Sequence, residues 1–187
     1  MNQAVKEQLR KKLDSTDPIQ KEKLRALLMK KKSQSKTTIH QIFEAQVAKT
    51  PDKIAIECEG QQATYAQLNG RANQLAGELI AEGVRVGDIV AISLNRSIDL
   101  IVAILATLKA GAAYLPLDPM SPNERINGIL DDAKAQYVIT ESEFLGIFAA
   151  SEGVVLTLDK DELAISLATR TTDNNVQPSQ HIKPGDL

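Results

Sequence analysis

The sequence predicts an α/β fold, a largely parallel sheet with helices on both faces, preceded by a helical linker. Three observations carry this expectation. Helix-like and strand-like apolar patterns alternate from Thr38 onward. Ile98 to Leu108 is apolar on every side except at Asp99 and Thr107, the pattern of a helix in an interior. It meets Gly111, the residue expected for a left-handed stop, and from Ala112 the apolar residues run on without helical spacing until Asp118-Pro119. A buried helix feeding a short, doubly covered strand implies parallel pairing.

Residues 1–36 are expected to form a basic helical linker or docking segment, and residues 37–187 a single domain. Ala4 to Leu13 and Pro18 to Lys32 have helical spacing, with Asp17 as N-cap and Pro18 at the first helical position of the second helix. Ile19, Leu24, Leu27 and Leu28 make a narrow apolar stripe among lysines, so this helix needs a partner. Ser33 to Lys36 is a short polar linker. The charge is divided accordingly: residues 1–36 carry 11 Lys/Arg against 4 Asp/Glu, while the remainder carries 11 against 20.

In the domain, Ile39, Ile42, Phe43 and Val47 predict a helix that ends before Thr50-Pro51. Ile54, Ile56 and Cys58 alternate along a strand that should turn at Glu59-Gly60 into Gln62-Ala63-Thr64. Thr64-x-x-Gln67 has the form of a capping box, so a helix should start at Tyr65. Its apolar positions Tyr65, Leu68, Ala72, Leu75 and Leu79 make it an amphipathic surface helix, ending near Gly83. Ile89 to Leu94 is the next strand, and Ser97 should cap the buried helix. In Ser121-Pro122-Asn123-Glu124, a capping serine, a proline at the first position and a glutamate at the third predict another helix start. Ile126, Ile129, Leu130 and Ala133 form its apolar stripe. Tyr137 to Thr140 is a strand, about Glu141 to Ala149 a short helix, and Val154 to Leu158 a further strand. Residues 169–187 are polar and lack periodicity, as an exposed connection would.

The composition excludes several chemistries. Of 187 residues, 43% are hydrophobic and 25% charged, as in ordinary globular domains rather than disordered chains. A single cysteine, Cys58, allows neither an internal disulfide nor a cysteine metal cage and fits a reducing compartment; on the apolar face of its strand it is expected to be a small buried residue. Met1 to Arg10 has no apolar core, and the apolar run between Asp99 and Lys109 is far short of the roughly 20 residues of a membrane helix. A cytoplasmic protein without membrane or nucleic-acid partners is expected, with Lys30-Lys31-Lys32 as a solvated face. No glycines are spaced as Gly-x-Gly and no Gly-Lys-Ser/Thr occurs, so the dinucleotide fingerprint and the P-loop are both absent. His40 and His181 have no partner at triad or metal-ligand spacing, and surface or capping roles are expected for both. Asp131 and Asp132 point in different directions on a helix and should be solvated, or paired with Arg125 or Lys134.

Two stretches carry a family resemblance. Ala63-Thr64-Tyr65-Ala66-Gln67-Leu68-Asn69 resembles the first core motif of the adenylation domains of nonribosomal peptide synthetases, in the superfamily of adenylate-forming, AMP-binding enzymes. Leu108-Lys109-Ala110-Gly111-Ala112-Ala113-Tyr114-Leu115-Pro116-Leu117-Asp118-Pro119 resembles the second, at about the expected separation. The resemblance runs from Thr38 to Leu187 and implies an incomplete N-terminal subdomain of the adenylate-forming fold. In that family ATP phosphates sit in a Ser/Thr/Gly-rich loop after a later strand, and a lysine near the far C-terminus contacts the adenylate. This chain ends at Pro184-Gly185-Asp186-Leu187, where the resemblance implies that strand and loop should begin. No catalytic, cofactor-binding or metal-binding residue is therefore carried over, and no cofactor is expected on this chain. ATP and Mg are implied only for the complete parent enzyme, which would activate an amino acid as aminoacyl-AMP for loading on a phosphopantetheine carrier.

The implied partners are the remainder of the adenylation domain or another synthetase module. Asp118 and Arg125, which recur around the second motif, are expected to bridge to each other structurally. Tyr65 and Tyr114 are expected as core aromatics. The alternative is a non-catalytic α/β binding module that docks a partner through the basic helices of residues 1–36.

Overall fold

The computed structural model describes residues 37–149, 151–160 and 167. The expectations for residues 1–36, for His181, and for the connection over 169–187 lie outside them.

Helix α1 (Ile39–Lys49) follows Thr38. Strands β1 (Ile54–Cys58) and β2 (Gln61–Thr64) form an antiparallel hairpin whose two turn residues, Glu59 and Gly60, have φ of 50° and 79°. Two successive left-handed residues are what a two-residue turn matching the strand twist requires. Helix α2 (Tyr65–Ala81) starts at the expected capping box: the Thr64 hydroxyl accepts from Gln67 N–H at 3.2 Å, and Gln67 Oε1 accepts from Thr64 N–H at 2.9 Å. Strand β3 (Ile89–Ser93) leads to α3 (Ile98–Ala110), capped by Ser97 and closed by Gly111 at φ 87°. Then follow β4 (Ala113–Pro116), α4 (Asn123–Ala133), β5 (Tyr137–Thr140), a 3₁₀ helix (Ser142–Phe148) and β6 (Val154–Thr157).

The four later strands form a parallel sheet in the order β4-β3-β5-β6. Strand alternation divides its side chains between two cores. Val90, Ile92, Ile139 and Leu156 meet Leu68, Leu75 and Leu79 of α2 and Val102 and Ala106 of α3. Ala91, Val138 and Val155 face the other way, against Ile126 and Leu130 of α4 and Phe148 of the 3₁₀ helix. Both faces of the sheet are thus covered, as expected.

Several local expectations are corrected. Strand β4 is an edge strand rather than a doubly covered one: among the described residues it has only β3 as neighbour, Tyr114 is 42% exposed, and Pro116 is tolerated because an edge has no partner for its missing N–H. Tyr114 is therefore no core aromatic. Ser121 does not cap α4. Pro122 occupies the cap position with φ −54° and ψ 137°, its carbonyl accepts from Ile126 N–H at 3.1 Å, and no side chain caps this helix. Ile39 and Ile42 are exposed, because α1 turns His40 and not its isoleucines toward the body. Cys58 is half-buried, its thiol 3.7 Å from the Arg96 carbonyl oxygen.

Candidate functional site

In an open α/β sheet a ligand crevice forms at the carboxyl ends of neighbouring strands whose connections leave to opposite faces. Strands β3 and β5 meet that condition. The chain leaving β3 enters α3 on one face, and the chain leaving β5 enters the 3₁₀ helix, whose Phe148 packs on the other. The last residues of three adjacent strands, Ser93, Thr140 and Thr157, stand side by side in register and are buried. They share the face of Ala91, Val138 and Val155 by alternation. Thr140 Oγ1 donates to the Ser93 carbonyl at 3.0 Å.

Beyond this row, Asn95 links the segments that follow β3 and β5. Its Nδ2 donates to Glu141 Oε2 at 3.1 Å and to Glu143 Oε1 at 2.6 Å. Beside them, Asp159 Oδ1 accepts from Ser142 N–H at 2.8 Å and from the Ser142 hydroxyl at 3.1 Å. Burial pushes the Glu141 carboxyl up, with the Asn95 hydrogen bond opposing and the neighbouring Glu143 charge adding to the rise. The side chains bonded at these strand ends are one amide, one serine, one threonine and three carboxylates. Such a lining repels phosphate, so these residues do not fit a nucleotide's phosphates, and no step of ATP chemistry is assigned to them. Among the described residues no group of three His, Cys, Asp or Glu could hold a metal ion, and no helix is long and apolar enough to cross a membrane.

A second constellation joins α1 to the end of α3. Lys109, inside the second motif, is 1% exposed, and its ammonium pairs with the Glu44 carboxylate. One turn before Glu44, His40 is also buried, with Nε2 3.0 Å from the Thr38 hydroxyl. Burial pulls the His40 imidazole below its ordinary value; Glu44 opposes that shift and Lys109 adds to it. The Lys109 ammonium is likewise pulled down by burial, against the hydrogen bond and charge of Glu44. His40 is thus a buried partner of the helix cap rather than a surface residue.

The remaining residues singled out in the sequence disperse. Asp131 and Asp132 are solvent-exposed and form no ion pair with Arg125 or Lys134. The expected Asp118–Arg125 bridge is not made: Asp118 Oδ1 instead accepts from Met120 N–H at 3.0 Å, which closes the turn after β4, and Arg125 points from the exposed side of α4. Tyr65 is half-buried, tilted against Phe43 at 5.9 Å between ring centroids. Sequence spacing missed both Glu44 and the Asn95–Glu141–Glu143 bridge. The only local signal for Glu44 was its place four residues after His40 on one helix face.

Known proteins share this scaffold. The AMP-binding enzyme family matches residues 43–187. A linear gramicidin synthase chain of Brevibacillus parabrevis is 48% identical over 126 residues, covering 67% of this chain and 2% of the relative. A mycosubtilin synthase chain of Bacillus subtilis is 48% identical over 143 residues, covering 73% of this chain and 5% of the relative. The chain therefore spans only a small part of the relatives it matches. The crystal structure of the nonribosomal peptide synthetase FmoA3 in its alpha-methyl-L-serine-AMP bound form superposes with a TM-score of 0.71 at 30% identity, over 81% of this chain and 16% of that one. With its two core motifs built into a buried helix, a left-handed glycine turn and a parallel sheet of that architecture, the chain belongs to the AMP-binding enzyme family, and its relatives there are nonribosomal peptide synthetases.

Proposed function

We propose that this chain is the N-terminal part of an amino-acid adenylation domain of a nonribosomal peptide synthetase. In the complete enzyme it would serve as the scaffold of a site that uses ATP and Mg to convert an amino acid to aminoacyl-AMP, for transfer to a phosphopantetheine carrier. The observation that carries this reading is the pair of core motifs in place: the capping box that opens α2, and the α3–Gly111–β4 turn. The acidic lining of the β3/β5 crevice supports placing nucleotide binding on other parts of the enzyme. A cytoplasmic location, and further synthetase domains as partners, go with this reading. The family match over 43–187 favours it over a non-catalytic docking module, and the basic helices that the docking reading needs lie outside the described residues.

The test is a chimera in which residues 38–187 replace the equivalent part of a complete relative such as tyrocidine synthase 1 of Brevibacillus parabrevis, which is 40% identical over 152 residues. The chimera is expected to retain amino-acid-dependent exchange of pyrophosphate into ATP, while the 187-residue chain alone shows none. A folded chimera without exchange, or exchange by the chain alone, would overturn the proposal.

A further inference from the structure

Helix α1 is held to the domain by little apolar surface. Phe43 packs against Tyr65 and the core beneath, but Ile39 and Ile42 are 68% and 58% exposed. The rest of its attachment is polar, Glu44 to the buried Lys109 at the end of α3, while Thr38 and His40 bond each other within the start of the helix. We propose that Thr38, His40, Glu44 and Lys109 form an acid-released latch on α1, closed while His40 is neutral and opened when the imidazole takes a proton from solvent.

The geometry gives the direction. With a neutral imidazole the Lys109 ammonium beside it is paired with the Glu44 carboxylate. An imidazolium would place a second cation near the Lys109 ammonium, which already engages the Glu44 carboxylate. It would also carry N–H donors on both ring nitrogens. Nε2 has Thr38, but Nδ1 is buried and has no hydrogen-bond partner. A charged donor buried without an acceptor is among the least tolerated arrangements in a protein interior. The charges acting on His40 are Glu44 on its own helix and Lys109 on α3, and α2 meets α1 through Tyr65 against Phe43. The lowered His40 value fits the same picture. Opening α1 exposes the imidazole to water, where it regains the ordinary value of about 6.5. The opened form is then favoured about tenfold more at pH 5.5 than at pH 7.5, for a closed form that stays neutral.

The experiment is hydrogen exchange by mass spectrometry on the full chain at pH 7.5 and 5.5, corrected for intrinsic exchange rates. Protection of α1 amides is expected to fall about tenfold, and to stay below that of α2 at both pH values because α1 opens without the rest of the fold. Unchanged α1 protection, or α1 protection equal to that of α2 at both pH values, would overturn the latch. His40→Gln is expected to make α1 protection flat between the two pH values, and a persisting fall would show that another group is the sensor. Should that variant fail to fold, NMR titration of the native chain decides. It contains two histidines, and His181→Gln assigns their signals. The midpoint of α1 opening must coincide with the titration of His40, and a separation of more than half a pH unit refutes the proposal.

Discussion

Gly153→Ala tests how β6 is seated against β5. Gly153 does not need a left-handed conformation, so the penalty of a side chain there is purely one of space. A Cβ on Gly153 would lie 2.4 Å from the carbonyl oxygen of Gln136, 2.9 Å from its carbon and 3.3 Å from its Cα. That oxygen cannot step aside cheaply, because it accepts from Val154 N–H at 2.8 Å, and the next pair, Tyr137 with Val154, sets the register of the two strands. The backbone must shift to relieve the overlap, which costs about 1–3 kcal/mol for an overpacked site and more if the hydrogen bond is lost. Gly146 is the internal control: nothing lies within 4 Å of its would-be Cβ and its φ is ordinary. Alanine there is expected to be neutral, or to stabilise by about 0.4–1 kcal/mol through the unfolded chain. Urea unfolding followed by circular dichroism gives both values from the midpoints, provided the slopes agree. A Gly153→Ala midpoint within about 0.5 kcal/mol of the parent would refute the steric account, whereas equal losses at both glycines would trace the effect to glycine replacement in general.

Other perturbations probe the remaining contacts. Glu44→Leu removes the carboxylate paired with the buried Lys109 ammonium and is expected to cost about 3–5 kcal/mol, while Glu44→Leu combined with Lys109→Met costs less than the sum of the two single changes; additive losses in a double-mutant cycle would contradict a coupled pair. Thr64→Ala removes the acceptor for Gln67 N–H and should cost about 0.5–2 kcal/mol by thermal or urea unfolding, with Thr64→Ser restoring most of it. Because the folded His40 value lies below the ordinary one, the unfolded chain binds more protons between the two. Stability is therefore full above about pH 6.5 and declines as pH falls toward the folded value, by at most about 1.4 kcal/mol per pH unit. Urea midpoints at pH 7.5, 6.5 and 5.5 check this, and His40→Gln should flatten the response.

The elements most legible in the sequence are those whose signals are local and redundant. The capping box at Thr64, the serine cap at Ser97 and the glycine stop at Gly111 each specify a backbone hydrogen bond or a φ within four residues, and each is found where the spacing put it. Coverage of strands was less legible, because a short apolar run reads alike at an edge and in the centre. β4 became an edge through the order of strands, a long-range property that Ala113 to Pro116 does not encode. Ser121 failed as a cap for a local reason. Proline in an extended conformation moved the helix start one residue on, and the Asp118 side chain closed the preceding turn. His40 looked peripheral because its partners are a hydroxyl two residues away and a lysine 69 positions on; the apolar isoleucines beside it suggested a buried face that the helix does not use.

Lys109 ties the second core motif to the first helix of the domain. It lies in the last turn of a helix buried on nearly every side, where a charge opposes the hydrophobic pattern and must be matched to be retained. Its position two residues before Gly111 fixes where the ammonium emerges, at the end of α3. Glu44 supplies the matching carboxylate from α1. The second core motif therefore does more than turn a helix into a strand. Through one buried cation it also specifies where α1 must lie, which couples a segment 65 residues away to the motif without requiring an extensive apolar interface. A coupling that rests on charge can be released by adding a charge, whereas one that rested on Ile39 and Ile42 would be indifferent to pH.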